Sequence, residues 1–279
     1  MILRQHEGHW GIARKFFFAL VAAFCVGPLF SPTTASAGLL AGDVALIGWI
    51  DNGSPDSFAF VALAPISAGE NIYFTDNGWT GTQFRSPAAD DGDGNETLTK
   101  WSAVSNIPAG AIIRTTDVSP DFLWTTTGAV PGGASGTFAP LSIGNPAEQV
   151  YAFQGTDNLP MQNVTSQLFV LDDTGAFENA IGSDTGTIPA GLSALDNTAL
   201  TLPVSFGSPR FIMFNTASLA SGTKAEWLAA ISNPENWTSA ATGTLPTGSI
   251  SVVPEPASWI LAISGLALCG WVRARKRAH

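Results

Sequence analysis

Between residues 38 and 252 the chain is divided into short apolar or alternating runs, and glycine, proline, asparagine and aspartate fill the gaps between them. Short runs that are rich in β-branched and aromatic side chains are typical of strands, because helices need longer stretches. The runs predicted as strands are residues 44–49, 58–63, 71–75, 97–101, 111–116, 149–153, 167–171, 199–202, 211–214 and 249–253. This spacing constrains the chain to a mainly β fold.

One helix is predicted near the end of this region, which we call the body (residues 38–252). Thr223 and Glu226 have capping-box spacing, in which the two side chains bond backbone N–H groups reciprocally. The residue before Pro234 disfavours α geometry, so the helix is expected to end there. Many short strands, one helix and no internal linker predict a single antiparallel β-sandwich domain.

A tetrapeptide of the form Ile-Ser/Pro-Ala-Gly begins at Ile66, Ile107 and Ile188. The sequences that flank its three copies do not match, which argues against a structural repeat. Each copy is instead predicted to be a turn whose glycine takes the left-handed backbone conformation.

The positions of cysteine and histidine exclude several kinds of catalytic site. Both cysteines, Cys25 and Cys269, and all three histidines, His6, His9 and His279, lie outside the body. The body therefore has no disulfide and depends on its own hydrophobic core. It also lacks the residues for a Ser-His-Asp triad, a Cys-His pair or a zinc site of the usual type.

Charge narrows the range of partners. Residues 38–258 carry 21 acidic and 5 basic side chains, a net charge of −16. Nucleic acid is excluded as a partner, because binding to phosphates requires lysine and arginine. Divalent cations, neutral glycans and basic proteins are all compatible with this negative charge as partners.

The N-terminal segment has the three parts of a secretory signal peptide. Basic residues precede the apolar run 16–30, and Ala35 and Ala37 form an A-x-A cleavage site. Residues 1–37 are therefore predicted to be removed by cleavage before Gly38. The alternative is an N-terminal membrane anchor, which the short apolar run and the small residues after it disfavour.

The C-terminal segment, residues 253–279, joins the tripeptide Pro254-Glu255-Pro256 to an apolar run and a basic end. Residues 256–272 are at the short limit of a bilayer span, and the basic residues after them would stay in the cytoplasm. The segment is compatible with two alternatives, a transient membrane stop and a permanent single-pass anchor.

This tail resembles the PEP-CTERM sorting signal of Gram-negative bacteria, with Pro254, Glu255 and Pro256 as the tripeptide. The resemblance implies recognition by an exosortase, a membrane protease that processes its substrates during export. It also implies a setting connected with exopolysaccharide production.

The body has a resemblance of its own. Segments 41–44, 58–63, 72–79, 151–155, 188–192 and 228–237 are similar to an uncharacterised secreted bacterial β-domain, which is itself loosely similar to lamin-tail sandwiches. This implies the fold class and an extracellular setting, and it transfers no catalytic residue.

An acidic stretch suggests a metal site. Asp91, Asp93 and Asn95 stand at positions 1, 3 and 5 of an EF-hand-like loop, but Glu96 replaces the glycine at position 6 and Ser102 the glutamate at position 12. An EF-hand is therefore rejected. A looser Ca²⁺ site at Asp91, Asp93, Asn95 and Glu96 is one hypothesis, and a solvated acidic loop is the other.

The tryptophans of the body suggest a glycan-binding surface. Trp49, Trp101 and Trp227 are predicted to lie in the core, because large aromatics fill the interior of a domain that lacks disulfides. Trp79 and Trp124 lie beside glycine- and threonine-rich stretches. They are the candidates for exposed rings that stack on sugars.

Glycoside hydrolysis needs only two carboxylates, so the missing histidines do not exclude it. Glu70, Glu96, Glu148 and Glu178 are the nominal candidates. Nothing in the sequence pairs any two of them across a cleft.

Together these features predict an exported protein without enzymatic activity, with a structural or adhesive role at the cell surface or in the extracellular matrix. Its expected partners are an exosortase, the secretion machinery, exopolysaccharide and, through residues 257–272, the inner membrane. The alternatives are a Ca²⁺-dependent module that binds glycans or a protein partner, and a carboxylate-only enzyme acting on polysaccharide. No cofactor other than Ca²⁺ is expected.

Overall fold

The computed structural model describes residues 38–51, 56–84, 98–117, 121–125, 141, 143, 148–156, 164–173, 175–177, 186–203 and 210–255. All of them belong to one compact unit that begins at Gly38. Several predictions lie outside the described residues. These are the signal peptide with Ala35 and Ala37, the acidic stretch with Asp91, Asp93, Asn95 and Glu96, the candidate Glu178, and the tail from Pro256 onward.

Strands dominate the described part of the chain. The strands are β1 (Val44–Asp51), β2 (Ser57–Ala62), β3 (Asn71–Thr75), β4 (Leu98–Ala103), β5 (Ile112–Arg114), β6 (Phe122–Thr125), β7 (Gln149–Gly155), β8 (Val164–Asp172), β9 (Ala199–Thr201), β10 (Arg210–Phe214) and β11 (Trp237–Ala240). The helix α1 (Lys224–Ile231) and a 3₁₀ turn (Pro234–Asn236) lie between β10 and β11. The prediction of a mainly β fold with one short α-helix is confirmed for these residues.

The strands form two sheets. One has five strands in the order β11-β10-β1-β2-β5, and the other has six in the order β6-β4-β3-β7-β8-β9. Neighbouring strands are antiparallel except at one edge, where β9 runs parallel to β8 with Leu171 opposite Leu200. The prediction of wholly antiparallel sheets is wrong at this edge. Residues 186–198, which precede β9, lie over one face of this sheet, and a crossover connection of this kind is what joins two parallel strands.

The two sheets pack face to face through aromatic side chains. Phe58 and Phe60 of β2 lie 4.8 and 5.1 Å from the Phe74 ring of β3, and Phe60 lies 5.4 Å from Trp101 of β4. These side chains are fully buried, and each contributes about 1.5–3 kcal/mol by leaving water. We call this cluster the inter-sheet core. Trp49, Trp101 and Trp227 belong to it, which confirms their predicted core positions.

The six-stranded sheet is also covered on its other face. Tyr73, Phe153 and Val170 point to this side, and residues 76–84 and 186–199 lie over them. The covering segments contribute Trp79, Phe84, Leu192 and Ala199, and we call the whole cluster the outer-face cluster. Both faces of one sheet are therefore buried, one by strands and the other by irregular chain.

The repeated tetrapeptide forms turns, as predicted. Gly69, Gly110 and Gly191 have φ values of 90°, 91° and 93°. Each turn is closed by a backbone hydrogen bond, for example from Glu70 N to Ser67 O at 3.1 Å. The first two copies also pair with each other, since Ile66 and Ile107 form an antiparallel bridge.

The helix has the predicted capping box. Thr223 Oγ1 accepts from Glu226 N (3.3 Å), and Glu226 Oε2 accepts from Thr223 N (2.7 Å). Trp237, which follows the helix, donates from Nε1 to Ile231 O at 2.7 Å and is buried. Neither this helix nor any other within the described residues has the length and apolar character that a membrane crossing requires.

One predicted strand is wrong and two strands were not predicted. Residues 249–253 form only isolated bridges, at Ser249 and Val252, because they run beside loop residues and not beside a strand. The strands β6 and β11 were missed. The middle of β11 is the polar pair Thr238-Ser239, so the strand has no apolar alternation to reveal it.

Candidate functional site

Trp79 is not a surface residue, and the prediction of an exposed stacking ring at this position is wrong. Its side chain is only 6% exposed, and its ring meets the Phe84 ring edge-on at 5.0 Å. The cause is the path of residues 76–84, which fold back over the outer face of the sheet. Thr187 N donates to Trp79 O at 3.0 Å and holds the two covering segments together.

Trp124 lies at the edge of the inter-sheet core, in the missed strand β6. Its half-buried ring is 5.5 Å from Phe58 and 6.0 Å from Phe74, and its Nε1 donates to Arg114 O at 3.2 Å. Core rings and a backbone carbonyl therefore hold Trp124 at the end of the core, and because its side chain is only partly buried, stacking of a sugar on it stays a prediction.

The two described carboxylates of the enzyme hypothesis lie far apart. Glu70 Oε2 accepts from Gln154 Nε2 at 2.6 Å, near the end of β7. Glu148 precedes the first residue of the same strand. A strand rises by about 3.3 Å per residue, so some 20 Å separate the two ends, whereas a glycosidase pair is within about 10 Å. Glu70 and Glu148 therefore do not form a catalytic pair.

Metal ligands are equally scattered where the structure shows them. Within the described ranges, no group of three or more histidine, cysteine, aspartate or glutamate side chains is placed to hold an ion. The acidic stretch with Asp91, Asp93, Asn95 and Glu96 lies outside those ranges and stays a prediction.

A buried polar network attaches the covering segments to the sheet. Gln149 Nε2 donates to Asp172 Oδ2 (2.5 Å), and Gln149 Oε1 accepts from Gly186 N (2.7 Å) and from the Tyr151 hydroxyl. Burial raises the pKa of Tyr151 strongly, and the charge of Asp172 raises it further, although a backbone hydrogen bond from Trp79 opposes both. The tyrosine therefore stays neutral and keeps donating its proton to Gln149.

Beside this network lies a cavity of about 510 Å³, which we call the Trp79 cavity. Its wall includes Trp79, the hydroxyl-bearing residues Thr82, Thr165 and Ser166, and the amide of Gln167. It opens between the start of β8 and the two covering segments. Sequence reasoning singled out Trp79 but not this cavity, because the residues that line it come from four separate stretches of the chain.

Two bulges in β8 shape the wall of the cavity. The register with β7 passes from Ala152 opposite Phe169 to Phe153 opposite Gln167, so Leu168 is an extra residue. Leu168 and Phe169 both point into the inter-sheet core, and Gln167 is left on the outer face beside Phe153. A second shift leaves Thr165 without an opposite residue. Bulges of this kind redirect side chains and are frequent next to functional sites.

The second candidate region is the place where the described chain ends. Val253 N donates to Gly222 O (2.8 Å), Gly222 N donates to Ser251 O (3.1 Å), and Trp227 Nε1 donates to the same carbonyl at 3.0 Å. These bonds fix the chain to the N-terminal end of α1 as far as Val253. The predicted boundary at residue 253 therefore lies one residue inside the attached region.

Pro254 and Glu255 follow this attachment and are exposed. They line a groove of about 320 Å³ together with Asp43 and Lys224, whose side chains form a salt bridge of 2.9 Å. The first two residues of the predicted sorting tripeptide are thus held next to the folded body, and Pro256 lies outside the described residues.

Comparison with known proteins adds no guide to the function of either region. No family model, curated protein or solved structure matches the chain.

Proposed function

We propose that this protein is exported, is sorted to the cell surface or extracellular matrix through its C-terminal segment, and has a structural or adhesive role there. In this proposal residues 1–37 are a signal peptide, the body is an extracellular β-sandwich, and residues 253–279 are an exosortase substrate with a transmembrane helix. The observation that carries it is the order of tripeptide, apolar run and basic end at the C-terminus.

The surroundings of the tripeptide support this role. A processing enzyme needs a substrate segment that is accessible at a fixed place, and Pro254 and Glu255 are exposed directly after the last backbone bond to the body. The body itself is stabilised by a large aromatic core and has no cysteine, so it needs no oxidative folding step after export.

The test is cell fractionation combined with mass spectrometry of the mature termini. We expect the wild-type protein to start at Gly38 and to lack the basic end, and we expect it outside the inner membrane. Replacing Pro254, Glu255 and Pro256 together by alanine should leave an unprocessed protein in the inner-membrane fraction. Glu235→Ala, an exposed substitution within the body, is the control and should be processed normally.

Two results would contradict the proposal. One is a mature protein that keeps residues 273–277 in every fraction. The other is normal processing of the triple alanine variant.

A binding role for the body is the second candidate. The Trp79 cavity favours it, since pockets of about 300–1,000 Å³ with a few polar groups in an apolar wall are typical of ligand sites. Ca²⁺ dependence of that binding stays a prediction, because the acidic stretch lies outside the described residues.

A further inference from the structure

The two described ends of the chain meet at one end of the β-sandwich. Asp43 is the junction: its backbone oxygen accepts from Leu63 N (2.7 Å) and Ala64 N (3.2 Å), and its side chain accepts from Lys224 Nζ (2.9 Å). The groove that Lys224 borders therefore lies where β1 begins, β2 ends and α1 begins. We call this region the exit end, and it consists of residues 40–43, 63–65, 108–110, 222–226 and 251–255.

Much of the exit end is apolar and exposed. Leu40 is 64% exposed and Val253 is 40% exposed. Pro65, Pro108 and Pro254 are exposed as well. The groove between them is lined mainly by leucine, alanine, valine and proline. Single exposed apolar side chains are common, but a group of them around an apolar groove is typical of a surface that contacts a partner or a membrane.

The charges at the exit end are few and mostly negative. The salt bridge with Lys224 offsets the charge of Asp43. Glu255 is exposed, and the Glu226 carboxylate accepts from Thr223 N at 2.7 Å. This hydrogen bond lowers the pKa of Glu226, so its side chain is charged at neutral pH. Two acidic groups thus remain beside one neutral pair, which repels an anionic lipid surface and is compatible with a zwitterionic one.

The length of chain between the body and the predicted bilayer span is short. The last backbone bond of this segment to the body runs from Val253 N to Gly222 O, and the predicted span begins at residue 256. Three residues reach at most about 11 Å. The headgroup layer takes up about 5–8 Å of that distance on each side of a bilayer. The body surface around Val253 is therefore held against the headgroups as long as residues 256–272 are inserted.

We propose that the exit end is a membrane-contacting surface, which rests on zwitterionic lipid headgroups while the tail is attached and contacts them through Leu40, Pro65, Pro108 and Val253. This inference rests on the proposed function, because it requires residues 256–272 to span the bilayer. It adds which surface of the body faces the membrane. The opposite end of β2 points away from the bilayer.

Quenching by labelled lipid tests this inference. The full chain, with Cys25→Ser and Cys269→Ser, carries a fluorophore on Pro65→Cys and is reconstituted into phosphatidylcholine liposomes. Flotation of the liposomes first establishes that the protein is inserted. Lipid with a nitroxide on its headgroup should then quench this fluorophore strongly. Pro108→Cys, on the neighbouring turn, is a second reporter with the same expected result.

Thr116→Cys is the matched control, because Thr116 is also exposed but lies at the other end of β2. Its neighbour Thr115 donates from N to Phe58 O, near the start of this strand, whereas Pro65 follows its end. The six residues of β2 span about 20 Å. Quenching at Pro65 should therefore be at least about threefold stronger than at Thr116, since the headgroup layer is only about 5–8 Å thick.

A change of lipid tests the charge argument. Replacing about a third of the phosphatidylcholine by phosphatidylglycerol makes the surface anionic, so quenching at Pro65 should decrease while flotation stays normal. Stronger quenching on the anionic liposomes would contradict the assignment of a zwitterionic surface.

The remaining outcomes separate this inference from the sorting proposal. Normal flotation with equal quenching at Pro65 and Thr116 overturns the inference and leaves the sorting proposal intact. Loss of flotation overturns both, because residues 256–272 then do not insert. Dimming of the Pro65 label in liposomes that contain no nitroxide lipid would show that a second copy of the chain covers the exit end, which also overturns the inference.

Discussion

The two faces of the six-stranded sheet are buried by different means. On the inner face, rings from strands of both sheets interlock, as with Phe60 and Trp101. On the outer face, the cover consists of irregular segments that are held by side-chain hydrogen bonds to Gln149 and by the bond from Thr187 to Trp79. Strand cover packs densely, whereas irregular cover brings polar groups and leaves a cavity. Stability is thus concentrated on one face and the candidate binding site on the other.

The largest effect is expected from a cavity in the inter-sheet core. Phe60 is fully buried between Phe74 and Trp101, so Phe60→Ala should lower the free energy of unfolding by about 3–5 kcal/mol. Equilibrium unfolding in urea measures this loss. Leu123→Ala on β6, where the side chain is 60% exposed, is the control and should cost less than about 0.5 kcal/mol. A similar loss of unfolding free energy for both substitutions would contradict the conclusion that stability is concentrated on the inner face.

A substitution under the outer cover should cost less and act locally. A Cβ atom at Gly186 would lie 2.3 Å from Trp79 N and 2.7 Å from Trp79 O, so Gly186→Ala must push the two covering segments apart. We expect a loss of about 1–3 kcal/mol. Hydrogen exchange should show faster exchange at Thr187 and in residues 76–84, but not in β1 or β2.

Gly191→Ala is the matched control for this change. A Cβ atom there meets no other atom within 4 Å, and only the left-handed φ of 93° is strained. It should leave the exchange of Thr187 unchanged. If β1 and β2 exchange faster in Gly186→Ala, the outer cover is not a separate unit of stability.

The buried tyrosine should make the outer face sensitive to high pH. The folded protein raises the pKa of Tyr151 above its usual value of 10.0, so the stability that its neutral form contributes is complete below pH 10 and is lost as the pH rises further. Tyr151→Phe removes the hydrogen bond to Gln149 at a cost of about 1 kcal/mol. The variant should also lack the decrease in unfolding free energy above pH 10 that ionisation of Tyr151 causes in the wild type. Urea unfolding of wild type and Tyr151→Phe between about pH 8 and 11 measures both effects. If the unfolding free energies of the two proteins fall in parallel with pH, the pH sensitivity does not come from Tyr151.

The smallest effect is expected from Ca²⁺. The acidic stretch follows Phe84, the last described residue of the outer cover, so an ion bound there would tie that cover to β4. With a Kd near 1 mM, as in extracellular Ca²⁺ modules, 1 mM Ca²⁺ stabilises the fold by about 0.4 kcal/mol. A thermal melt with Ca²⁺ and with chelator detects the shift. Asp91→Asn combined with Asp93→Asn should abolish it, and no shift in the wild type at about 10 mM would reject the site.

The sequence predicts best where a pattern is local. The capping box of α1 depends on Thr223 and Glu226, which are three residues apart, and the left-handed glycines depend on single turns. The parallel edge strand, the bulge at Leu168 and the burial of Trp79 depend on contacts between distant segments. Trp79 was singled out for its glycine-rich neighbours, but those neighbours are what allow the chain to fold back over the sheet.

The candidate site shows the same difference between features set by local sequence and features set by contacts between distant segments. Periodicity places the strands that carry Gln149 and Gln167, yet it cannot tell which of the two amides is bonded. Gln149 bonds Asp172, Gly186 and Tyr151, whereas Gln167 bonds none of the described residues. The bulge at Leu168 places Gln167 on the outer face, and periodicity does not reveal a bulge.

The groove beside Lys224 has a consequence for protein engineering. Asp43 and Glu255 line it together, although 212 positions separate them in the sequence. Gly38 is five residues before Asp43 and so lies within about 18 Å of it. In a chain cut back to residues 38–255, a short glycine-serine linker would therefore join residue 255 to Gly38, and new ends could be opened at an exposed turn such as the one at Gly69.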